Sequence, residues 1–360
     1  MKVDRLDVSA YAVPTEAPET DGTFAWHETT VVVAQPTAGG CTGLGFTYAT
    51  PACATLIRDL LHDVVVGRDV MDIPAIWAAM RASIRNVGRA GVASMAIAAV
   101  DTALWDLKAR ILDLPLSDLL GQARTSVPIY GSGGFTSYSV HQLADQLAGW
   151  VHGDGIGMVK MKVGRHPDDD VARVASALDA IGGDAELMVD ANGAYSAKQA
   201  VRLGRDFAQR GVVWFEEPVS SDDLAGLALV REHLDLEVAA GEYGYELVYF
   251  ERMVAARSVD VLQVDVSRCA GITEWLRVAA VAAAHGLDVS GHCAQSLHAH
   301  PACSVSNLRH LEYFHDHALV DRILFDGVLE PTGGSLTPDR CRPGIGLDLK
   351  DQDAERHRAA

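Results

Sequence analysis

From about residue 127 onward, short apolar runs alternate with longer amphipathic ones. The runs at 127–131 (VPIYG), 157–163, 186–191, 212–217, 237–241, 261–266, 288–292 and 310–314 read as strands. The stretches at 196–210, 222–234 and 271–286 carry helical spacing between them. Strands separated by helices at this interval are βαβ units, and hence a parallel sheet. Eight such strands close into a barrel. The alternative is an open doubly wound sheet, but no G-x-G-x-x-G follows the first strand to favour its dinucleotide-binding form. Upstream the texture differs. Residues 1 to about 48 read as β-rich, with TVVVA at 30–34 leading into the glycine-rich GGCTGLG at 39–45. Residues 52–120 read as helical, with Met95, Ala98, Ala99, Leu104 and Leu107 on one stripe and Pro115 and Gly121 marking the end.

Length and charge narrow the picture. At 360 residues the chain suits two domains, or one large barrel with a partner domain. Lys and Arg number 30 against 48 Asp and Glu, a formal charge of −18. Such a chain does not suit a phosphate backbone, and it lacks the polybasic stretch that docks on anionic lipid. The start, MKVDRLDVSAYAVP, is charged at Lys2, Asp4, Arg5 and Asp7 and does not read as a signal peptide. No uncharged apolar run reaches the roughly 18 residues that span a bilayer. The six cysteines, at 41, 53, 269, 293, 303 and 341, form no C-x-x-C and are expected to stay reduced. The expectation is a soluble cytoplasmic protein.

The chemistry is in the charges on strands that should be apolar. In a β/α barrel, functional groups come from the C-terminal ends of the strands. On the second strand Lys160 and Lys162 flank Met161, so alternation points both ammoniums into the barrel mouth while Val159, Met161 and Val163 face the helices. The chain has only six lysines, which makes this pair informative. Two close ammoniums are expected to lower each other's pKa and give a better base. The third strand ends in Asp190 with Asn192 two residues on, the fourth in Glu216-Glu217-Pro218, the fifth in Gly241-Glu242. One βα unit separates Asp190 from Glu216, and another separates Glu216 from Glu242. Carboxylates converging from consecutive strand ends, without His or Cys, suit a hard cation, Mg²⁺ above all. Any one of them alone reads more simply as a carboxylate near a helix N-terminus. Gln263 and Asp265 lie on the sixth strand, His292 on the seventh and Glu312 on the eighth. Asp265 can accept from one ring nitrogen of His292, which raises the basicity of the other. His298, His300, His310, His315 and His317 read as structural.

KMK at 160–162, VDANG at 189–193, WFEEP at 214–218, AAGE at 239–242, the Asp265 strand, SGH at 290–292 and HLE at 310–312 together resemble the enolase superfamily and, within it, the mandelate racemase group. The likeness covers nearly the whole chain, including AAVDTALWDLK at 98–108. It implies a modified TIM barrel of (β/α)₇β type over 126–325, an α+β capping domain with specificity loops over 1–125, and a C-terminal segment, 326–360, that returns to the cap. It implies Mg²⁺ on Asp190, Glu216 and Glu242, binding a substrate carboxylate and stabilising the enediolate left when the α-proton departs. Lys162 would be the base on one face and Lys160 its tuner. His292, oriented by Asp265, would be acid or base on the other face, and Glu312 would share a hydrogen bond with a carboxylate oxygen. The likeness also motivates a homo-oligomer.

Two departures matter. Some members of the group carry lysine three residues after the dyad aspartate, where this chain has Arg268. No lysine lies between 199 and 349, which disfavours the muconate-cycloisomerising and dipeptide-epimerising branches. The implied reaction on a small-molecule carboxylate is dehydration of an acid sugar to a 2-keto-3-deoxy acid. Racemisation or epimerisation of a 2-hydroxy acid, or a catalytically silent metal-binding barrel, are the alternatives. Residues 14–27 look like a mobile lid and 45–51 like a second loop at the mouth. His27, Tyr48, Asn192, Arg268 and Gln295 are the candidate substrate contacts.

Overall fold

The strand alternation of the second half closes on itself. In the computed structural model, which describes residues 1–359, the barrel strands are β5 (Val127–Gly133), β6 (Met158–Lys162), β7 (Glu186–Asp190), β8 (Val212–Glu216), β9 (Glu237–Ala240), β10 (Val261–Val264), β11 (Asp288–Gly291) and β12 (Leu308–Phe314), preceded by the cap strands β1 (Arg5–Thr20), β2 (Ala25–Ala38), β3 (Cys41–Thr42) and β4 (Gly45–Tyr48). Each barrel strand pairs in parallel with the next, and β12 returns to β5 with Leu311 opposite Ile129. A helix follows each of the first seven, and a further helix, His315–Leu324, follows β12.

Two sets of side chains fill this barrel. Outward-facing Val159, Met161, Val189, Phe215, Val238, Leu262 and Val289 pack with Phe207, Trp275 and the other helix residues in one large core. Inward-facing Tyr130, Met188, Trp214, Ala239 and Val261 form a small separate cluster that plugs the lower interior. Two residues further along β7 and β8 the same inward face carries Asp190 and Glu216. Period-2 alternation therefore stacks the polar layer directly above the apolar plug.

The cap is built on a long antiparallel pair. β1 runs against β2 from Arg5 opposite Thr37 to Thr20 opposite Ala25, with a register shift between Pro14 and Glu19. Pro14 and Pro18 lack the N–H a ladder needs, so the break falls there. The residues expected to form a lid are thus the tip of a paired hairpin. The 45–51 stretch is β4 leading into a helix that begins at Pro51. The helical region 52–120 is several helices, notably Ile73–Ser83 and Val92–Ile111, interrupted by turns at Gly67 and Gly88–Gly91. Val32, Ala34, Ile97, Val100 and Leu104 share the cap's own core.

Beyond the barrel, Ser335–Leu336 pairs with β5. Near its end the chain meets β1, where the Ala12 N–H donates to the His357 carbonyl at 2.8 Å and the Ala359 N–H to that of Ala10 at 2.8 Å. Among the described residues, no helix is long and apolar enough to cross a membrane.

Candidate active site

Strand register sets the site. Lys162 is opposite Asp190 on β7, and Asp190 is opposite Glu216 on β8. Paired residues of a parallel sheet share a face, so these three side chains stand side by side at one level. Glu242, Asp265 and His292 follow the last residues of β9, β10 and β11 by one or two positions, at the same barrel end. Gly241 makes this possible on β9. Its φ is +136°, and a Cβ there would lie 2.5 Å from the Gln263 carbonyl oxygen.

Asp190, Glu216 and Glu242 each offer a carboxylate oxygen, all within 4.8 Å of one another and all buried. Glu242 Oε2 is buried with no hydrogen-bond partner. Three converging carboxylates, one with an orphaned oxygen, fit a hard divalent cation. The cradle is braced: the Trp214 Nε1–H donates to Glu216 Oε2 at 3.0 Å, and the Asn192 N–H to Asp190 Oδ1 at 2.8 Å.

Lys160 and Lys162 lie against this cradle. Lys160 Nζ is 2.5 Å from Glu216 Oε1, 2.8 Å from Glu312 Oε1 and 3.6 Å from Asp190 Oδ2. Lys162 Nζ is 2.5 Å from Asp190 Oδ2. The expectation that the two ammoniums depress each other is corrected here. Burial pulls both down, and Lys160 does lower Lys162, but the surrounding carboxylates outweigh these effects and hold both above the ordinary lysine range. Glu216 is also raised, pushed up to about 8 by burial, with Lys160 only partly opposing.

Across the mouth, His292 Nδ1 is 2.8 Å from Asp265 Oδ2. Despite burial, Asp265 lies below the usual carboxylate range because His292 and Arg268 hold its charge. An ionised carboxylate only accepts, so His292 Nδ1 is the donor and Nε2 is left for chemistry. Ser267 completes the orientation, donating to Asp265 Oδ1 from both N–H and Oγ at 2.7 Å. Burial lowers His292, but Glu242, Glu312 and Asp265 outweigh it and raise its pKa. Glu312 accepts from Ser132 Oγ at 2.6 Å and from the Cys293 N–H at 3.0 Å. Its pKa falls well below normal because Lys160, His292 and Lys162 override its desolvation.

A cavity of about 560 Å³ opens over these groups and is lined by Lys162, Asn192, Glu242, Arg268 and His292 from the barrel, with Trp26, Glu28 and Tyr48 from the cap. Lys162 and His292 thus face one space from the second and seventh strands. Lys160, Glu216 and Asp190 lie buried beneath it. Arg268 is 3.3 Å from Glu242 Oε1 and 3.4 Å from Asp265 Oδ2. Tyr48 stacks on His317 at a centroid distance of 3.3 Å and donates to Asp321 Oδ1 at 2.7 Å. Two candidates are not brought in. His27 is exposed, on the β2 face opposite to Trp26 and Glu28, and does not line the cavity. Gln295 is buried at the start of its helix, outside the lining, with both side-chain polar atoms unpartnered.

Sequence reasoning missed several supports. Tyr130 accepts from Lys160 at 3.3 Å and from Gln263 Nε2 at 2.8 Å. Trp214 shares the inward parity of Glu216, a signal that WFEE at 214–217 does contain. Ser132, Trp26 and Asp316 carried no distinguishing signal. His298 and His310 are structural: the Val266 N–H donates to His298 Nε2 at 3.0 Å, and His310 Nδ1 is 2.9 Å from Ser290 Oγ.

The family described as Enolase C-terminal domain-like matches residues 142–354, and the Mandelate racemase / muconate lactonizing enzyme N-terminal domain matches residues 7–121. L-talarate/galactarate dehydratase from Salmonella typhimurium is 33% identical over 337 residues, covering 90% of this chain and 82% of its own. A mandelate racemase/muconate lactonizing enzyme-like protein from Rubrobacter xylanophilus has a similar structure, with a TM-score of 0.97, 50% identity and full coverage of both chains. So does a racemase from Streptomyces coelicolor A3(2) with bound magnesium, with a TM-score of 0.94, 32% identity and 99% and 100% coverage.

Proposed function

The chain belongs to the mandelate racemase/muconate lactonizing enzyme family of the enolase superfamily, and from that premise we propose that it removes the proton α to the carboxylate of an acid sugar and expels the β-hydroxyl as water, giving a 2-keto-3-deoxy acid. The observation that carries this reading is the placement of Lys162 and His292 in one cavity with the carboxylate cradle between them. Asp190, Glu216 and Glu242 would hold Mg²⁺, which when bound supplies Lewis-acid stabilisation for the negative charge that leaves the α-carbon.

Lys162, in its neutral form, takes the α-proton. Asp190 and Glu216, which with Glu312 now hold the protons of Lys160 and Lys162, would also hold the cation, so loading the cradle weakens their hold on those protons. His292, protonated and steadied by Asp265, gives its Nε2 proton to the leaving hydroxyl. Lys160 stays charged at the base of the site between Glu216 and Glu312, and Arg268 stands where it can balance Glu242. Asn192 and Tyr48 complete the walls.

Proton transfer separates the two roles. With Mg²⁺, Lys162→Ala and His292→Ala should each lose about 10²–10⁴-fold in turnover. In deuterium oxide His292→Ala should still exchange the α-proton through Lys162, while Lys162→Ala should not. Unchanged turnover in either variant overturns the assignment. Two proton-carrying groups facing one cavity from opposite sides would also serve epimerisation. Wild-type exchange with no keto product would decide for that reaction. Chelation should abolish turnover and Mg²⁺ restore it, with Glu216→Gln shifting the Mg²⁺ requirement upward while the thermal transition persists. A cytoplasmic homo-oligomer belongs to the same proposal, and light scattering at micromolar concentration tests the assembly.

A further inference from the structure

The charges around the cavity are divided according to the segments that supply them. Apart from His317, its basic lining residues are Lys162, His292 and Arg268, all from the barrel. Arg268 is already met by Glu242 at 3.3 Å and Asp265 at 3.4 Å, and its guanidinium lies 5.2 Å from the Tyr243 ring. The remaining histidine, His317, is held neutral, its pKa pushed down to about 3 chiefly by burial. Its Nδ1 already accepts from the Ala294 N–H at 3.1 Å.

The hairpin and the chain after β12 contribute the acids Asp21, Glu28 and Asp316, and none of the cap residues lining the cavity is Lys or Arg. Asp316 is fixed in place, accepting from the Trp26 Nε1–H at 2.8 Å. Asn192 and Tyr243 also border an adjoining chamber of about 570 Å³, whose ionisable acids are Glu217 and Asp222 and whose lining holds no Lys, Arg or His. Its other polar groups are hydroxyls, including Ser220, Tyr245 and Tyr249.

A polyhydroxy acid bound with its reacting carboxylate at Asp190, Glu216 and Glu242 places its other terminus elsewhere in this cavity, where Asp21, Glu28 and Asp316 are lining charges with no cationic partner. A second carboxylate there can only accept hydrogen bonds, and it would face fixed carboxylates with no cation free to meet it. A hydroxymethyl terminus can donate to those same oxygens. Resting on the acid-sugar reading above, we infer that the enzyme takes monocarboxylic acid sugars, aldonates with a neutral distal end, and rejects the dicarboxylic aldarates. Discrimination here is built from repulsion as much as from contact. Asp316 and Glu28 are the residues that set it.

The test uses matched pairs of identical stereochemistry that differ only in the terminal carbon, hydroxymethyl against carboxylate, with Mg²⁺ present. The readouts are kcat/KM for each compound and the inhibition constant of each aldarate against the best aldonate. The expected result is turnover of an aldonate, with its aldarate partner lower in kcat/KM by about 100-fold or more and correspondingly weak as an inhibitor. Glu28→Gln combined with Asp316→Asn should narrow that gap about tenfold through a gain on the aldarate. Glu28→Gln alone, on the exposed rim, should narrow it in the same direction if the double variant is unstable. An aldarate that matches its aldonate overturns the charge inference and leaves the dehydratase reading standing, as does a gap that neither variant changes. Absence of both keto product and α-proton exchange with every acid sugar of either class overturns the dehydratase reading itself, and the inference with it.

Discussion

The roles proposed for Lys162 and His292 depend on what holds them as well as on their own intrinsic chemistry. His292 is oriented by Asp265, which is itself fixed by two donors from Ser267. The metal cradle has a similar outer support in Trp214, whose indole N–H reaches Glu216 Oε2 at 3.0 Å from inside the apolar plug. Trp214→Phe keeps most of the ring volume and removes only that donor. Outer supports of this kind typically contribute about 10–100-fold to metal affinity. A Mg²⁺ titration of activity should therefore show the requirement shifted upward about tenfold or more, with the thermal transition within a few degrees of wild type. An unchanged Mg²⁺ midpoint would mean that Trp214 only fills space. Asp265→Asn addresses the other side of the site. It should leave His292 without the carboxylate that fixes its tautomer, lowering keto-acid formation while preserving α-proton exchange through Lys162.

The hairpin tip is the element that closes the mouth, and its seat on the barrel is tight. A Cβ at Gly22 would lie 2.2 Å from the Ala191 carbonyl oxygen and 2.7 Å from that of Val163, both immediately after catalytic strands. Neighbouring ties hold the tip down: the Thr136 N–H donates to the Thr20 carbonyl at 2.8 Å, and Thr23 Oγ1 to that of Asn192 at 3.3 Å. Gly22→Val should lift the tip off the barrel. Because Lys162 and His292 stay in place, the expected outcome is a rise in KM of about tenfold or more with a much smaller change in kcat. Equal loss in both would instead point to disruption of the strand ends. This element also shows which parts of the molecule were legible in the sequence. On the barrel strands, parity is enough: once 214 faces inward so does 216, and the polar layer can be read from KMK and WFEE alone. On β2, parity cannot be assigned until the hairpin register is known. Hence His27, chosen for its chemistry, faces away, while Trp26 and Glu28 line the cavity. Pro14 and Pro18 marked the same segment as irregular, although pairing resumes beyond them at Glu19. Tyr130 and Ser132 could not be singled out, because a hydroxyl on a strand matters only once the strand across the barrel supplies its partner.

Cap and barrel are joined by carboxylates buried where the two meet, and this gives the whole molecule a pH signature distinct from that of the active site. Asp101, on the cap helix Val92–Ile111, accepts from the Thr273 N–H at 2.9 Å and from Thr273 Oγ1 at 2.6 Å, on a barrel helix. Asp106, on the same helix, accepts from Leu44 N–H at 2.7 Å and Ile345 N–H at 2.6 Å, joining the turn before β4 to the C-terminal segment. Burial pushes Asp101 up to about 7 and Asp106 to about 6, against an ordinary value of 3.8. A carboxyl whose folded-state pKa is raised contributes stability that is fully present below the unfolded value. That contribution is lost as pH climbs through the folded one, because the unfolded chain releases the proton first. For Asp101 the window runs from about pH 4 to about pH 7. Asp190, Asp265 and Glu312 are shifted down and act with the opposite sign, their contribution disappearing on acidification, so the raw stability curve mixes the two. Asp101→Asn separates them. The amide keeps one acceptor for Thr273 and cannot ionise, so its cost is independent of pH, whereas the wild-type cost of ionising Asp101 grows across the window. Measured by thermal unfolding, the Tm of the variant relative to wild type should move steadily in the variant's favour from pH 4 to pH 7 and then level off. A difference that stays constant across that range would show that the junction holds Asp101 ionised throughout, with Thr273 meeting its charge in full.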